Sequence, residues 1–575
     1  MFISKIKYIE NYRNLSSAQF SFDKKLNFIV GENNTGKTNV LDLLNSLVSI
    51  GKFNETDFYN IQEPIKISFT IEYSEDEIGF FENNFDADDE LKISITAIQE
   101  NVDSRIEYCH SSTINSYINP KTIRMMNFVY YSALRSPNKE LNFTRNIGTG
   151  KVLNYLIKSC INRGTIDEME LIDLDGIKSI VDELNIQIKR INGLPEENIQ
   201  AYVSDDKQSL INRILELGDV NQKNISRLGD GLQYSFNIYL HILDLLVHLK
   251  TTKKEEDFEN LLIIFDNGKK LLPLTIGLDE PEIHQHPYRQ RALIKSINRI
   301  IHNENKEFQK VIKELFGIDG FIGQVFTVTH SPNILLNDYK QIIRLYKEDD
   351  ETVRVMCGQD IDFDEKVHKH LMRSFVYIKE AMFSKSLILV EGDTEYGAIP
   401  VFIDRMGFDM DEKGIGVIKL DGADSVLRCM ELYNAFGIKS VAIIDKDKEE
   451  SYREEDNIIF TDEEDFEAEA YSNYKYTNYL RYLIQINQSQ SFIRYLKRQC
   501  EEFNAKEFIT NPVAYKIPLE DRKRIMTDNE VLELKRLRDN KNSINGAMIA
   551  QHVNKIPNSF EKVIKCALSE EESFE

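Results

Sequence analysis

One short stretch constrains the fold of this chain more than any other, because residues 31–38 read Gly-Glu-Asn-Asn-Thr-Gly-Lys-Thr. This G-x-x-x-x-G-K-T motif follows an apolar run and precedes a helical pattern, the strand–loop–helix context in which it cradles phosphates. The glycines let backbone N–H groups turn toward the phosphates, Lys37 supplies positive charge and Thr38 ligates Mg²⁺. The residues predicted to hold the nucleotide here are Gly31, Asn34, Gly36, Lys37, Thr38 and Asn39.

Two later strands are predicted to carry the residues that act on the nucleotide. Residues 274–278 form an apolar run that ends in Asp279 and Glu280, an order typical of a Walker B site. Asp279 would bind Mg²⁺, directly or through water, and Glu280 would polarise the attacking water. Another strand, residues 323–329, delivers His330 at its end, where it fits a sensor of the γ-phosphate of ATP.

A glycine-rich turn at residues 226–233 opens a long apolar helix and is a ready anion site. In ABC-type ATPases such a turn presses on the γ-phosphate held by the other subunit, which predicts that Ser226 and Gly229 contact ATP in a second copy of this chain. Alone, the turn is explained equally well as an ordinary helix opening. The order of the P-loop, this turn, Asp279 and His330 is the order of an ABC-type head, and it predicts an ATP-binding head of that type.

The chain is too long, at 575 residues, for one hydrophobic core. We expect an α/β protein whose first ATPase part covers residues 1–144 and whose second covers 221–375, with a helical insertion at 145–220 between them. Residues 380–575 form a second α/β domain with a helical C-terminal extension. The insertion pattern predicts helices over 148–163, 175–192 and 206–217. These helices would form an arm, a dimerisation contact or an ordinary peripheral bundle.

Carboxylates end two apolar runs in the last segment. Residues 386–390 lead into Glu391, and residues 440–444 lead into Asp445 and Asp447. Because the carboxyl ends of parallel strands lie at one sheet edge, these side chains are expected to be neighbours. Hard oxygen ligands select Mg²⁺, Mn²⁺ or Ca²⁺ over zinc, and two such ions about 4 Å apart can stabilise the attacking and leaving oxygens of a phosphodiester. The alternative is an acidic surface rim.

Further candidates lie beyond these strands. Asp465 and Glu467 are candidate metal ligands, although their stretch is acidic throughout. Residues 534–541 are basic within an acidic chain, so Lys541 could stabilise a phosphate transition state and its neighbours could hold a nucleic-acid backbone. A solvated helix face explains the same basic residues.

Charge and cysteine usage narrow the class of protein. The net charge of −23 argues against a protein that coats nucleic acid over its whole surface, although it is compatible with a local basic channel. Six scattered cysteines without a CxxC pair indicate a reducing, cytoplasmic environment. No apolar run reaches the roughly 18 residues that a membrane span needs, so no membrane partner is expected.

Together these motifs resemble those of the OLD (overcoming lysogenisation defect) family of nucleases, which join an ABC-type ATPase head to a C-terminal Toprim domain. The nuclease subunit of Gabija and some retron-associated effectors share that layout. The resemblance implies that the metal ligands are Glu391 and Glu395 (E-G-x-x-E), Asp445 and Asp447 (D-x-D), and the later pair Asp465 and Glu467. It also implies that Lys541 is the catalytic lysine. The LGDGLQ turn departs from the usual LSGGQ, with Gly229 at the signature serine, which implies slow ATP turnover or nucleotide sensing.

By this resemblance the chain is a metal-dependent DNA endonuclease or nickase gated by ATP, often acting in antiphage defence. Its partners would be DNA, itself, and a defence-system, retron or helicase component. One alternative is a non-cutting ABC-type repair or maintenance ATPase with a Toprim-like binding module, but such proteins usually carry long coiled coils and no heptad run is sustained here. Another is Toprim chemistry of the primase or topoisomerase kind, but nothing marks a nucleophile among the 26 tyrosines.

Overall fold

The computed structural model of the chain divides by its internal contacts into two compact units, Met1–Asp362 and Phe363–Glu575. The structure describes residues 1–75, 77, 91–112, 116–133, 140–141, 143, 148–163, 174–191, 199–203, 215–336, 338–348, 352–363, 365, 368–369, 371, 378–420, 422–451, 457–499, 503–511 and 526–568. No helix in these ranges is both long and apolar enough to cross a membrane.

The first unit mixes short and long strands. They are β1 Phe2–Glu10, β2 Phe20–Ser21, β3 Leu26–Gly31, β4 Ile65–Glu72, β5 Lys92–Gln99, β6 Glu107–His110, β7 Tyr117–Ile118, β8 Phe128–Tyr131, β9 Ile199–Val203, β10 Leu215–Asp219, β11 Ile263–Ile264, β12 Lys270–Pro273, β13 Thr275–Asp279, β14 Gly320–Ile322, β15 Val325–Val328, β16 Ile342–Lys347 and β17 Val353–Cys357. Its helices are α1 Lys37–Asn45, α2 Pro120–Arg124, α3 Thr149–Arg163, α4 Leu174–Ile191, α5 Asp230–Thr252, α6 Glu255–Glu259, α7 Pro287–Ile301 and α8 Lys306–Phe316.

Two six-stranded sheets organise this unit. One has the order β2-β1-β4-β5-β6-β7 and is antiparallel, in keeping with the alternating apolar pattern of β4 and β5. The other has the order β17-β16-β3-β15-β13-β8 and is parallel apart from its edge strand β17. One hydrophobic cluster contains side chains of both sheets and of α1, including Ile6, Leu41 and Phe326. The parallel sheet therefore carries the motif-bearing strands β3, β13 and β15 side by side.

The insertion differs in part from its prediction. The first two predicted helices are confirmed as α3 and α4. The third, over 206–217, is wrong where it can be seen, because Leu215–Asp219 is strand β10 and pairs antiparallel with β9; residues 206–214 lie outside the described residues. The helices pack on their own unit, since Tyr155 stacks on Phe316 at 5.5 Å and Arg190 Nη1 lies 2.9 Å from Glu314 Oε2.

The second unit contains a four-stranded parallel sheet, in the order β19-β18-β20-β21. The strands are β18 Ser386–Val390, β19 Ile415–Lys419, β20 Lys439–Ile444 and β21 Ile458–Phe460. The helices are α9 Asp393–Arg405, α10 Met410–Lys413, α11 Ala423–Ala435, α12 Phe466–Ser472, α13 Tyr476–Gln485, α14 Ser489–Gln499, α15 Ala505–Thr510, α16 Glu530–Arg538, α17 Ser543–His552 and α18 Asn558–Leu568. The predicted parallel arrangement is confirmed, so the carboxyl ends of β18 and β20 lie side by side.

Candidate nucleotide and carboxylate sites

The loop between β3 and α1 has the backbone that its glycines were expected to provide. Gly31 and Gly36 have φ values of +138° and +92°, and a Cβ at Gly31 would lie 1.9 Å from the carbonyl oxygen of Leu345. Lys37 Nζ donates hydrogen bonds to the carbonyl oxygens of Gly31 (3.0 Å) and Glu32 (2.5 Å). Burial lowers the pKa of Lys37 to about 8, against the opposing effect of nearby carboxylates. A phosphate would give this partly desolvated amine a stronger partner than the loop carbonyls.

Thr38 and Asp279 meet across the parallel sheet edge. The Thr38 hydroxyl donates to Asp279 Oδ1 at 3.1 Å, as expected for two ligands of one Mg²⁺ ion. Burial raises the pKa of Asp279 to about 6, and the neighbouring carboxylates of Glu280 and Asp42 add to the rise. The oxygen donors and the excess of negative charge fit a divalent cation.

The structure brings Glu280 and His330 together at the ends of neighbouring strands. Glu280 Oε1 lies 3.4 Å from His330 Nε2, and both side chains remain partly exposed. Glu280 has a φ of +46°, and its N–H donates to the Val328 carbonyl at 3.0 Å. Burial and the charge of Lys37 lower the pKa of His330, which favours the neutral imidazole. The pair could orient a water molecule and a phosphate oxygen.

Glu282 is a site residue that the sequence reasoning missed. Its Oε1 accepts hydrogen bonds from the Thr329 hydroxyl (2.6 Å) and from the His330 backbone N–H (2.7 Å). It therefore fixes the backbone that presents His330. The available signal was the acidic run after the strand, Asp279-Glu280-Pro281-Glu282.

The turn after β1 also contributes to the nucleotide site, and its role was missed. Arg13 Nη1 donates to Asn39 Oδ1 (2.5 Å) and lies 2.8 Å from Asp42 Oδ2, while Asn39 Nδ2 donates to Asn14 Oδ1 (2.7 Å). A Cβ on Gly36 would come within 2.6 Å of Asn14 Oδ1. The side chain of Asn39, predicted to hold the nucleotide, is thus hydrogen-bonded to Arg13 and Asn14. These two residues support the P-loop from the neighbouring turn.

The glycine-rich turn is tied to the segment that follows Asp279. Ser226 lies in a short 3-10 turn and donates from Oγ to Asn224 Oδ1 at 2.7 Å. Gly229 is the N-cap of α5, and a Cβ at this position would meet no atom within 4 Å. Gln285 Nε2 donates to the Gly231 carbonyl (2.5 Å) and to Ser235 Oγ (3.0 Å). The start of α5 is therefore anchored on the chain between the strand of Asp279 and α7.

The second unit places the predicted carboxylates at one sheet edge. Glu391 follows β18 and Asp445 follows β20, strands paired in register from Ser386↔Lys439 to Val390↔Ile443. Glu395 lies in the first turn of α9 and is buried. A Cβ at Gly392 would come within 2.6 Å of Glu395 Oε2, so glycine makes room for that carboxylate.

Burial and the charges of neighbouring carboxylates raise the pKa values of these side chains. Burial raises the pKa of Glu395 to about 8, and the charges of Asp445 and Glu467 add to the rise. Burial, Glu391 and other carboxylates raise the pKa of Asp445 to about 7. The pKa values of Glu391 and Glu467 are raised too, chiefly by burial. The carboxylate cluster therefore carries more negative charge than the nearby cations neutralise.

Two cations partly offset this charge. Lys541 Nζ lies 3.1 Å from Oε2 of Glu467, which is fully buried. Burial opposes the charge of Lys541, but Glu467, Glu395 and Asp445 outweigh it and raise the lysine pKa. Arg538 Nε lies 2.7 Å from Asp465 Oδ2. Lys541, a candidate from its position in the basic stretch, thus belongs to the carboxylate cluster.

The donor set fits a divalent cation in its chemistry. All candidate ligands are hard oxygens, and Glu391 Oε2 is buried yet accepts no hydrogen bond from the described residues. As the side chains stand, no group of three or more His, Cys, Asp or Glu converges closely enough to hold an ion in the part of the chain that the structure describes. Asp447 lies outside the cluster of buried carboxylates, since it is 55% exposed and pairs with Lys448 at 3.2 Å.

Two family models match the chain. The model described as AAA ATPase domain matches residues 1–213 and 111–335, more than half of the chain. The model described as overcoming lysogenization defect protein-like, TOPRIM domain, matches residues 382–447, which include Glu391, Glu395, Asp445 and Asp447.

Curated relatives are similar to the chain at low identity. The Old nuclease of Escherichia phage P2 is 25% identical over 231 residues, 39% of this chain and 34% of that protein. Endonuclease GajA of Bacillus cereus (strain HuB5-5) is 24% identical over 468 residues, 75% of this chain and 62% of that protein. An ATP/GTP phosphatase of Helicobacter pylori is 26% identical over 402 residues, 62% of this chain and 96% of that protein. The chain therefore spans less than two thirds of the length of the two nucleases.

The fold and the two sites define the class of protein, a P-loop ATPase joined to a Toprim domain. The chain belongs to the AAA ATPase domain family, and with its OLD-like Toprim domain it is a member of the OLD family.

Proposed function

We propose that this chain is a metal-dependent DNA endonuclease or nickase whose cutting is gated by the nucleotide bound to its ATPase unit. The observation that carries the proposal is that Glu391 and Asp445 follow neighbouring parallel strands, with the buried Glu395 close by and Glu467 Oε2 3.1 Å from Lys541 Nζ. The similarity of the chain to the Old nuclease and endonuclease GajA supports a phosphodiester substrate.

The carboxylates would hold Mg²⁺ or Mn²⁺, two ions when the site is complete, which supply Lewis-acid charge to the scissile phosphate. Glu391 and Asp445, at the ends of neighbouring strands, would form the core of the ligand set. Glu395 and Glu467 would complete it, with Asp447 and Asp465 as further ligands. Lys541 would place its ammonium on a phosphate oxygen and stabilise the charge that develops there.

The ATPase unit would bind ATP with one Mg²⁺ ion through Lys37, Thr38 and Asp279. Glu280 would polarise the attacking water and His330 would contact the γ-phosphate. Ser226 and Gly229 would complete the site of a second copy, so ATP would close a homodimer or larger assembly. Because LGDGLQ lacks the signature serine, we expect slow turnover, with ATP acting mainly as a switch.

The biological role that fits this activity is a cytoplasmic antiphage effector. Its support is the OLD-family membership and the similarity to GajA, which also make a defence-system, retron or helicase partner reasonable.

The test is cleavage of supercoiled plasmid with Mg²⁺, Mn²⁺ or chelator, with and without ATP. We expect metal-dependent nicking that Glu391→Ala and Asp445→Ala abolish and that Lys37→Ala and Glu280→Gln alter only in its response to ATP. Glu463→Gln is the matched control, because Glu463 is an exposed acid in the loop before Asp465. Undiminished cutting in both alanine variants would refute the site. ATP turnover without cleavage under any metal condition would favour the non-cutting ATPase instead.

A further inference from the structure

We propose that Arg538 is a built-in counter-ion of the carboxylate site, which must leave Asp465 before that residue can bind a divalent ion. Arg538 would thereby set the affinity of the site for its second ion. This inference rests on the proposed function, since it takes the carboxylate cluster to be a metal site.

Both carboxylate oxygens of Asp465 are already engaged. Oδ1 accepts the backbone N–H of Ala468 at 2.9 Å and caps α12, while Oδ2 accepts from Arg538 Nε at 2.7 Å. The guanidinium is held from its other side by Glu464, whose Oε2 lies 2.8 Å from Arg538 Nη2. An ion that uses Asp465 Oδ2 as a ligand must therefore displace Arg538 from that oxygen, because the cation and the guanidinium repel each other at such short range.

The helix that carries Arg538 is fixed by a buried carboxylate. Glu533 in α16 is fully buried and accepts hydrogen bonds from the Tyr479 hydroxyl, from Asn529 Nδ2 (3.2 Å) and from Arg536 Nη1 (2.5 Å). These contacts tie α16 to α13 and set where the end of the helix lies. The pairing of Arg538 with Asp465 is thus built into the packing of the unit.

Release of the guanidinium is nevertheless feasible. The Arg538 side chain is 35% exposed, so it can turn into solvent without unpacking the helix. The nearby Lys541 is 47% exposed and forms an ion pair with Glu467, as Arg538 does with Asp465. With the carboxylates bound to an ion, Arg538 and Lys541 would both be free to contact phosphate oxygens. Metal loading would in this way prepare the site for a nucleic-acid backbone.

The experiment is calorimetric titration of the full chain with Mn²⁺, without nucleotide or DNA. Arg538→Gln keeps a polar side chain but removes the charge, so we expect its weaker Mn²⁺ site to bind on the order of tenfold tighter than in the wild type. Arg494→Gln is the matched control, because Arg494 is exposed on α14 and makes no ion pair among the described residues, and it should bind as the wild type does.

A second variant guards against misfolding of the first. Glu464 is 74% exposed, so Glu464→Gln should fold normally, loosen Arg538 and tighten Mn²⁺ binding by a smaller factor. Unchanged or weaker Mn²⁺ binding in both variants, with binding still lost in Glu391→Ala, would overturn this inference alone. Mn²⁺ binding that Glu391→Ala does not affect would overturn the metal site and the inference together.

Discussion

The hydroxyl of Thr38 lies 3.1 Å from Oδ1 of Asp279, although 241 positions separate the two residues in the chain. They meet because β3 and β13 flank β15 in one parallel sheet, so both strands deliver their next residues to the same edge. The contact brings together the two residues expected to bind the Mg²⁺ ion of ATP. It holds their side chains next to each other without any bound ion or nucleotide.

Asp279→Asn should therefore distinguish the structural role of Asp279, its hydrogen bond to Thr38, from the role of its charge in binding Mg²⁺. The asparagine oxygen still accepts the Thr38 hydroxyl, so the fold should survive, but the charge that binds Mg²⁺ is lost. We expect the affinity for ATP in the presence of Mg²⁺ to fall by on the order of tenfold, the loss of one charge-assisted interaction of about 1.4 kcal/mol. Titration with a fluorescent ATP analogue measures this, and binding in chelator is the control. Equal Mg²⁺-dependent affinity in both proteins would argue against this role.

Glu282→Ala tests the residue that holds the backbone of His330. The change leaves the Thr329 hydroxyl and the His330 N–H without their shared acceptor, which costs about 1–3 kcal/mol of stability and lets His330 move. We expect ATP turnover to fall while ATP affinity stays close to that of the wild type. Phosphate release and nucleotide titration measure the two quantities separately. Glu282→Gln retains an acceptor oxygen and should recover most of the turnover, and an alanine variant with normal turnover would contradict the assignment.

The parts of the sites that could be predicted have local signals. The P-loop, the acidic end of β13 and the strands before Glu391 and Asp445 each combine an apolar run with a chemically distinctive residue. Their proximity follows from the rule that parallel strands end at one edge. Lys541 is predicted from the basic stretch and from the family resemblance, but its contact with Glu467 is not.

The parts that were missed depend on contacts between distant segments. Nothing local marks Arg13 and Asn14 as braces of the P-loop, or Glu533 as the anchor of α16. The sequence predicts helix at residues 215–217 because short apolar runs fit either period, whereas pairing with β9 makes this segment a strand. In each case the structure is determined by hydrogen bonds between segments that are distant in the sequence.

The raised pKa values of Glu395 (about 8) and Asp445 (about 7) predict how stability depends on pH without metal. Folding raises both pKa values above their ordinary values of 4.5 and 3.8, so the folded chain holds protons that the unfolded chain releases. Their contribution to stability is therefore complete below about pH 4 and is lost as the pH rises toward about 8.

Thermal melts of chelated protein between about pH 5 and pH 8 test this sign. We expect the melting temperature to fall across this range, less steeply in Glu395→Gln, whose side chain does not ionise. Added Mg²⁺ should restore stability most at the alkaline end, where the carboxylates repel one another. A Glu395→Gln variant with the slope of the wild type would contradict the pKa of Glu395.

Two glycines let α9 and α17 meet backbone to backbone. A Cβ at Gly397 would lie 1.8 Å from the Ser543 carbonyl oxygen, and a Cβ at Gly546 would lie 1.9 Å from the Thr394 carbonyl oxygen. Helix propensity alone predicts that alanine at either position stabilises the protein by about 1 kcal/mol. The clash with rigid backbone predicts the opposite, a loss of about 1–3 kcal/mol, because the helices must separate.

Gly397→Ala should therefore lower the melting temperature, whereas Asp404→Ala, on the exposed face of the same helix, should not. Separation of the helices would also move Glu395, in α9, away from Lys541, which lies just before α17. We expect plasmid cleavage by Gly397→Ala to fall even well below its melting temperature, because the carboxylate cluster and its lysine are no longer held together. A Gly397→Ala variant more stable than the wild type would show that α9 and α17 can move apart without a loss of stability. Normal plasmid cleavage by this variant would show that the close packing of the two helices does not position the site.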